Sequence, residues 1–367
     1  MQSPAIKIKR GISVTFSPAG SDDELALIVG DEIGRGSMSI VCEGHVDAWG
    51  DASAVAVKVL RPSLASSPSA ERFMREAVLL CKLSHPNIVR GLGTGSFAGG
   101  DGRPEVPFAV LERIDGCPLD ELLEQGSYAT DPRSALEVLL GISSALGYLH
   151  LDGRVQAHRD VKPANIIVRS DGTPKLIDLG VAKTIITAGH SLDTRLAGTV
   201  RYMPPEQFAD SSRVDVRSDI YALGIVLLEM LGCSREWNDD ARDAIAARFD
   251  RAPPHLADED AQRLDLQGAH RHAIDDVLAG MCAYEPHERY QTPRELTRAL
   301  QEALETLDKP AGDGGFGSAR ANRIKPAIAV ALIVLAAGVA LGVTGRSTIE
   351  GGAGKAQPPT GHEIIVE

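Results

Sequence analysis

The alternation of apolar and polar positions divides the chain into a strand-rich part and a helix-rich part. Valine occupies positions 55, 57 and 59, and this period of two predicts a strand. From Phe73 to Cys81 apolar residues recur at i, i+4, i+7 and i+8, which predicts a helix with one apolar stripe. Beyond residue 117 the helical period dominates, and residues 220–231 are apolar almost all round, as expected for a buried helix. The pattern therefore predicts a small strand-rich region over about residues 25–112, followed by a larger helical region.

A long uncharged segment near the end of the chain predicts a transmembrane helix. Residues 327–345 contain no charged side chain, and as a helix they would span about 28 Å, close to the hydrocarbon thickness of a bilayer. A buried Ala/Gly-rich helix is the alternative, but the segment follows a loose linker, residues 306–326, and has no polar face. Arg320, Arg323 and Lys325 precede it, which favours a cytoplasmic N-terminal side and a short extracytoplasmic tail, residues 346–367.

Residues 1–24 form a leader that we expect to be weakly structured, with an extra strand as the alternative. The leader carries Lys7, Lys9 and Arg10 among turn-forming Ser, Pro and Gly residues. The first thirty residues contain no continuous apolar run, so a cleaved signal peptide is not expected.

The composition is that of a globular protein with an acidic balance. Hydrophobic residues make up 43% of the 367 positions and charged residues 24%, both ordinary values. The formal net charge of −12 argues against general nucleic-acid binding, which needs clusters of Lys and Arg. The five cysteines are widely spaced and form no C-x-x-C pair, so neither a disulfide framework nor a zinc site is indicated.

A dense set of polar residues between positions 158 and 180 points to phosphoryl transfer. The run His158-Arg159-Asp160-Val161-Lys162-Pro163-Ala164-Asn165 is followed by Asp178-Leu179-Gly180. Asp160 can orient and deprotonate a hydroxyl nucleophile, and Lys162 can neutralise charge on the moving phosphoryl group. Asn165 and Asp178 offer hard oxygen ligands for Mg²⁺.

With these two segments the chain resembles the bacterial (eukaryotic-like, Hanks-type) serine/threonine protein kinase family. The resemblance implies an α+β, bilobal protein kinase fold over residues 25–305, with a small β-rich N-lobe and a large helical C-lobe. It also implies ATP as the phosphoryl donor, with Mg²⁺ or alternatively Mn²⁺, and Ser or Thr hydroxyls of proteins as acceptors. Lys162 is typical of the serine/threonine class, and the need for ATP implies a cytoplasmic kinase domain on a single-pass cell-membrane protein.

The resemblance assigns a nucleotide site to the strand-rich region. Residues 33–41 resemble a glycine-rich loop, with Ser39 in place of the third glycine. Lys58 would bind the α- and β-phosphates and pair with Glu76. Leu111 would be the gatekeeper before a hinge that contacts adenine through its backbone. The implied cofactor-binding residues are Ile33, Gly34, Gly36, Val41, Ala56, Lys58, Glu112 and Ile114.

The resemblance also implies a phosphorylation switch. Arg159, beside the catalytic Asp160, can bind a phosphate on the segment between Asp178 and Glu206. The acceptors would be Ser191 and Thr194, with Thr187 behind them, whereas Thr199 would shape the substrate site. A homodimer would allow phosphorylation in trans. His158, Asp219 and an ion pair between Arg289 and Glu206 are expected to serve the structure rather than the chemistry.

Two other classes of function remain open from the sequence. A pseudokinase scaffold would bind partners or nucleotide without catalysis, but Lys58, Glu76, Asp160, Asn165 and Asp178 are all present. A small-molecule phosphotransferase would share the nucleotide chemistry but should lack the segment 198–206, which resembles the peptide-docking region of protein kinases.

Overall fold

A closed six-stranded barrel forms the N-terminal part of the protein. The computed structural model describes residues 6–7, 11–98, 104–129, 131–151, 157–180, 201–209, 213–233, 254–310 and 365–366. After a two-residue strand β1 (Ile6–Lys7), the barrel strands are β2 (Ile12–Pro18), β3 (Leu25–Arg35), β4 (Ser39–His45), β5 (Ala54–Leu60), β6 (Gly91–Phe97) and β7 (Val106–Glu112). Their order is β2-β3-β4-β5-β7-β6 with antiparallel pairing, and β2 closes the barrel by pairing with β6 as well as β3.

Strand β2 shows that the expected leader contributes to the fold. Its apolar residues alternate, so that Ile12 and Phe16 are buried while Ser13 and Thr15 face outward or lie near the surface. Phe16 packs edge-on against Trp49, with ring centroids 5.6 Å apart. The extra strand that the sequence left as an alternative is therefore present, because its buried apolar residues Ile12 and Phe16 add to the barrel core.

Helix α1 (Pro68–Leu80) crosses the outside of the barrel and carries a charged residue into the interior. Ser67 caps its first turn by accepting a hydrogen bond from the N–H of Ser69, and proline at the first helical position suits the start of a helix. Its buried residues are Phe73, Glu76, Ala77 and Leu80. The predicted apolar stripe is present, but Glu76 is buried beside it because it meets Lys58 from β5.

Helices dominate the C-terminal part of the protein, as the pattern predicts. They are α2 (Leu119–Glu124), α3 (Pro132–Leu151), α4 (Pro205–Ala209), α5 (Val216–Met230), α6 (Asp258–Arg263), α7 (Gly268–Cys282) and α8 (Pro293–Leu307). A small sheet of β8 (Gly116–Pro118), β9 (Ile166–Arg169) and β10 (Pro174–Leu176), in the order β10-β9-β8, lies beside them. Thirteen of the fifteen residues of α5 are buried, which agrees with its expected position in the core. The two-lobed α+β architecture implied by the sequence is thus confirmed.

The predicted transmembrane segment, residues 327–345, lies outside the described residues, as do most of the linker and the tail. Backbone contacts divide the chain into residues 1–313 with 361–367 and residues 314–360. In the first unit, a short strand β11 (Ile365–Val366) pairs antiparallel with β1. Among the described helices, α3 alone is long and apolar enough to cross a membrane, but nine of its residues are buried in the protein core.

Candidate active site

Lys58 lies at the centre of a buried ion-pair network between the two lobes. Strand β5 directs its ammonium group toward α1, where Nζ contacts Glu76 Oε1 at 3.2 Å. The same Nζ contacts Asp178 Oδ1 at 2.8 Å, 120 residues further along the chain. The ion pair that the sequence predicts between Lys58 and Glu76 is therefore present, and the structure adds Asp178 to it.

This network carries more negative than positive charge. Burial and the nearby Asp178 carboxylate raise the pKa of Glu76 to about 8, although Lys58 opposes the shift. Burial works against charge on Lys58, but Asp178 and Glu76 outweigh it and raise the pKa of the ammonium group. Burial likewise opposes ionisation of Asp178, but Lys58 lowers the pKa of this carboxyl below its usual range. The charged forms of Lys58 and Asp178 are therefore favoured, while burial and Asp178 oppose the ionisation of Glu76.

The loop from His158 to Asn165 places three polar side chains around Asp160, two on its carboxylate and one on its backbone N–H. Asn165 Nδ2 donates to the Asp160 carbonyl and to Asp160 Oδ2, each at 2.8 Å. Lys162 Nζ lies 3.3 Å from the same Oδ2. His158, which is 1% exposed, accepts a hydrogen bond at Nδ1 from the Asp160 N–H. Asp160 is thus held in one orientation at the surface of the cleft, and His158 supports the loop as expected.

Asp219 at the start of α5 fixes the backbone of this loop. Its carboxylate accepts hydrogen bonds from the N–H groups of His158 at 2.6 Å and Arg159 at 2.8 Å. These bonds hold Arg159 at φ 66°, a left-handed conformation that is costly for a residue with a side chain. Burial raises the pKa of Asp219 to about 7, although both N–H groups act to lower it.

Glycine is required where the Asp178-Leu179-Gly180 segment meets this loop. Gly180 has φ 57°, and a Cβ placed there would lie 2.2 Å from the His158 carbonyl oxygen. The close backbone approach brings Asp178 to the same cleft as Asp160. Leu179, which stands where protein kinases usually have Phe, is fully buried in the core.

The glycine-rich loop and the hinge line the other side of the cleft. Gly34 pairs with Val41 across β3 and β4, and the Ile33 side chain is 49% exposed. A Cβ at Gly34 or Gly36 would meet no protein atom closer than 3.5 Å. Internal packing therefore does not require these two glycines, and their open surface suits the close approach of a ligand.

A polar clamp at the hinge was not anticipated from the sequence. Glu112, at the end of β7, accepts from Lys175 Nζ at 2.6 Å and from the Arg90 N–H at 2.9 Å. Its own N–H donates to the Arg90 carbonyl at 3.0 Å. No hydrogen bond within the described residues engages the backbone of Ile114. Lys175 in the otherwise apolar strand β10 was the available signal, because a buried lysine needs a partner.

Arg289 and Glu206 form the predicted ion pair in the C-terminal lobe. The two guanidinium nitrogens Nη1 and Nη2 each contact a different Glu206 carboxylate oxygen at 2.8 Å. Burial opposes ionisation of Glu206, but the hydrogen bonds from Arg289 prevail and lower its pKa. Nearby, Tyr202 donates to Glu229 Oε2 at 2.6 Å. These pairs anchor the end of the segment whose Thr187, Ser191, Thr194 and Thr199 lie outside the described residues.

The polar groups of the cleft include oxygen donors suited to a nucleotide with a divalent ion. Within the described residues, no three His, Cys, Asp or Glu side chains form a metal site by themselves. Asn165 and Asp178 nevertheless supply two hard oxygen donors, and the Asp178 side chain is 36% exposed. Glu76 and Asp178 place two carboxylates on the single ammonium group of Lys58, and this arrangement favours an added cation. The residues therefore fit a magnesium-bound triphosphate whose own oxygens complete the coordination.

The barrel lobe is joined by a hinge to a helical lobe. A lysine–carboxylate network faces an Asp-x-Lys-x-x-Asn loop. Together, this fold and this site define a protein kinase catalytic domain. Residues 27–303 match the protein kinase domain family. The chain belongs to the protein kinase family.

Several curated bacterial proteins are similar to this chain. A probable serine/threonine-protein kinase of Streptomyces coelicolor is 34% identical over 280 residues, covering 76% of this chain and 40% of the relative. The probable serine/threonine-protein kinase PknB of Lactococcus lactis is 34% identical, covering 72% and 40%. The serine/threonine-protein kinase PknB of Mycobacterium tuberculosis is 38% identical over 252 residues, covering 67% and 38%. These similarities confirm the resemblance to bacterial serine/threonine protein kinases, although the chain spans only about 40% of the length of the relatives.

Proposed function

We propose that this chain is a membrane-anchored serine/threonine protein kinase that transfers the γ-phosphate of ATP to protein hydroxyls. The observation that carries the proposal is the contact of Lys58 with both Glu76 and Asp178, at 3.2 and 2.8 Å. That network connects the strand-rich lobe, α1 and the Asp178 loop. A pseudokinase scaffold has no need of this arrangement together with an intact Asp160 loop.

The proposed chemistry rests on the orientation of Asp160. Its Oδ2 is held by Asn165 and Lys162, so the carboxylate can align a Ser or Thr hydroxyl and accept its proton as the new phosphoester bond forms. Lys162 would neutralise charge on the transferring group, and most of the rate enhancement would come from positioning and electrostatics.

The proposed nucleotide site uses residues on both sides of the cleft. Bound ATP with Mg²⁺ or Mn²⁺ would supply the transferable phosphoryl group and neutralise its charge. Asn165 and Asp178 would hold the metal, and Lys58, kept in place by Glu76, would bind the α- and β-phosphates. The remaining contacts would come from Ile33, Gly34, Gly36, Val41, Ala56, Glu112 and Ile114.

The proposal includes activation by phosphorylation in trans within a homodimer. Asp219 holds the backbone of Arg159 in a left-handed conformation beside Asp160, so a phosphate on Ser191 or Thr194 could bind the Arg159 guanidinium and order the substrate side of the cleft. Replacing both acceptors with Ala should lower basal activity; unchanged kinetics would contradict this part.

Membrane anchoring through residues 327–345 is supported by comparing the free energy of membrane insertion with that of the pairing between β1 and β11. Nine Ile, Leu and Val residues in this segment would favour insertion by on the order of 3–5 kcal/mol. The two-residue pairing of β1 with β11 contributes on the order of 1 kcal/mol and requires both ends of the chain on one side. Insertion should therefore prevail and separate them. Protease protection of the tail in sealed vesicles tests this, and a tail cleaved from the kinase side would contradict the topology.

Transfer of labelled γ-phosphate by the full chain in detergent micelles tests the proposed activity. Asp160→Asn should abolish the label on Ser and Thr, because the hydroxyl loses its proton acceptor. Asp171→Asn is the matched control, since it removes an exposed carboxylate in the turn before β10 that accepts from the Thr173 N–H and forms a surface ion pair with Arg169. Nucleotide binding without transfer by the unchanged chain would favour the scaffold. Equal loss in both variants would contradict the role of Asp160.

A further inference from the structure

Arg61 connects the tip of the glycine-rich loop to the strand that carries Lys58. It follows β5 directly, three residues after Lys58. Its backbone N–H donates to the Met38 carbonyl at 2.9 Å, and its Nη2 donates to the Gly36 carbonyl at 2.6 Å. One residue thus holds both arms of the loop.

The loop tip has few other attachments. The ladder between β3 and β4 ends at the pair Arg35 and Ile40. Beyond it, the described residues show one further hydrogen bond within the loop, from the Gly36 N–H to the Ser39 carbonyl at 2.8 Å. Without the Arg61 side chain, the Gly36–Ser37 peptide would lose its contact with the body of the lobe.

The Arg61 contact also fixes the direction of a hydrogen-bond donor. In a trans peptide the C=O and N–H groups point in opposite directions. Because the Gly36 carbonyl faces Arg61, the N–H of Ser37 in the same peptide faces away from it. No acceptor among the described residues engages this N–H, so it is available to a ligand oxygen.

We propose that Arg61 is a positioning residue that holds the glycine-rich loop so that the Ser37 N–H can bind a nucleotide phosphate. This inference rests on the proposed kinase function. Arg61 acts through the loop rather than by touching the phosphates, so its loss should weaken nucleotide binding more than it slows the chemical step.

Arg75 provides a control for the loss of one positive charge from the same lobe. It is exposed on α1, and its Nε donates to the Glu71 carbonyl at 3.4 Å. Arg75→Met removes a guanidinium of the same charge without touching the tether or the glycine-rich loop. Arg61→Lys tests the bond itself, since it keeps a charged donor and removes the buried Nε of Arg61, which has no acceptor among the described residues.

The experiment combines steady-state kinetics with hydrogen–deuterium exchange on the full chain in micelles. Arg61→Met should raise the KM for ATP about tenfold, the effect of losing one charge-assisted hydrogen bond, with kcat within about twofold. Exchange over residues 36–39 without nucleotide should accelerate, while the Tm stays near that of the unchanged chain. Arg75→Met should alter neither quantity, and Arg61→Lys should recover most of the lost affinity.

Several results would overturn the inference. The first is an unchanged KM and unchanged exchange in Arg61→Met, and the second is an equal effect of Arg75→Met. The third is an Arg61→Met chain that no longer folds, which would make the residue structural. Failure of the unchanged chain to transfer phosphate would defeat the proposed function separately, because the exchange measurement reads the tether without nucleotide.

Discussion

Replacing Arg289 with Leu should destabilise the protein strongly, because this side chain is fully buried and fully hydrogen-bonded. The exposed fraction of its side chain is 0%. Its guanidinium carbon lies over the face of Tyr221, 4.7 Å from the ring centroid. Besides Glu206, its hydrogen-bond acceptors are the carbonyls of Ala283, Arg217 and Tyr284. One side chain thus joins α4, α5 and the loop after α7.

The expected loss of stability is about 3–5 kcal/mol, the cost of breaking a buried ion pair by removing one partner. Leu fills much of the volume, so the cost comes from charge rather than from a cavity. Glu206 would remain buried, with 9% of its surface exposed. Its only side-chain partner among the described residues would be the Ser218 hydroxyl, which lies 2.7 Å away in the unchanged protein. A lone hydroxyl compensates a buried carboxylate poorly.

The pH dependence of the loss separates charge from packing. In the unchanged protein the pKa of Glu206 lies below its ordinary value of 4.5. Its contribution is therefore complete above the unfolded pKa and lost as the pH falls through the lowered folded value. Without Arg289, burial should instead raise the folded pKa above the unfolded one. The deficit of Arg289→Leu should then be largest near neutral pH and shrink as the pH falls toward 5.

Urea unfolding at pH 7.5 and at pH 5.5 measures these differences. Arg298→Leu is the control, since Arg298 forms an exposed pair on α8 with 77% of its side chain accessible, and such pairs contribute about 0–1 kcal/mol. Adding Glu206→Gln to Arg289→Leu should recover part of the loss at neutral pH. A deficit that is independent of pH and unchanged by Glu206→Gln would refute the electrostatic argument.

Three further substitutions test other parts of the structure. Phe16→Ala should cost about 3–5 kcal/mol in urea unfolding, because it opens a cavity beside Trp49; a loss below about 1 kcal/mol would show that β2 is dispensable. Gly180→Ala should lower kcat at least about 100-fold by displacing the loop of Asp178, whereas Gly172→Ala, which has a similar positive φ but no neighbour within 4 Å, should retain activity. Lys175→Met should lower the free energy of unfolding by about 1–3 kcal/mol, since the hinge glutamate loses its charged partner; an unchanged urea midpoint would contradict the clamp.

Much of the architecture and most of the candidate site could be predicted because the relevant signals are local. The valines of β5 and the apolar run of α5 report burial through their period. The catalytic segments combine several chemically distinct residues at set spacings, so the loop from His158 and the segment at Asp178 could be paired before any contact was known. Glu76 could be assigned to Lys58 only through the family resemblance, because a glutamate beside an apolar stripe is usually solvated.

The sequence by itself determined which side chains are available for the chemistry and where strands and helices form, because periodicity and residue type are properties of neighbouring positions. Tertiary structure alone decided several other contacts between distant groups. Asp178 reaches Lys58 across 120 positions, Lys175 clamps the hinge, Arg61 ties down the loop tip, and β2 closes the barrel by finding β6. No local pattern encodes such pairs, since they depend on how the lobes pack and on the burial that makes an unpaired charge too costly to leave.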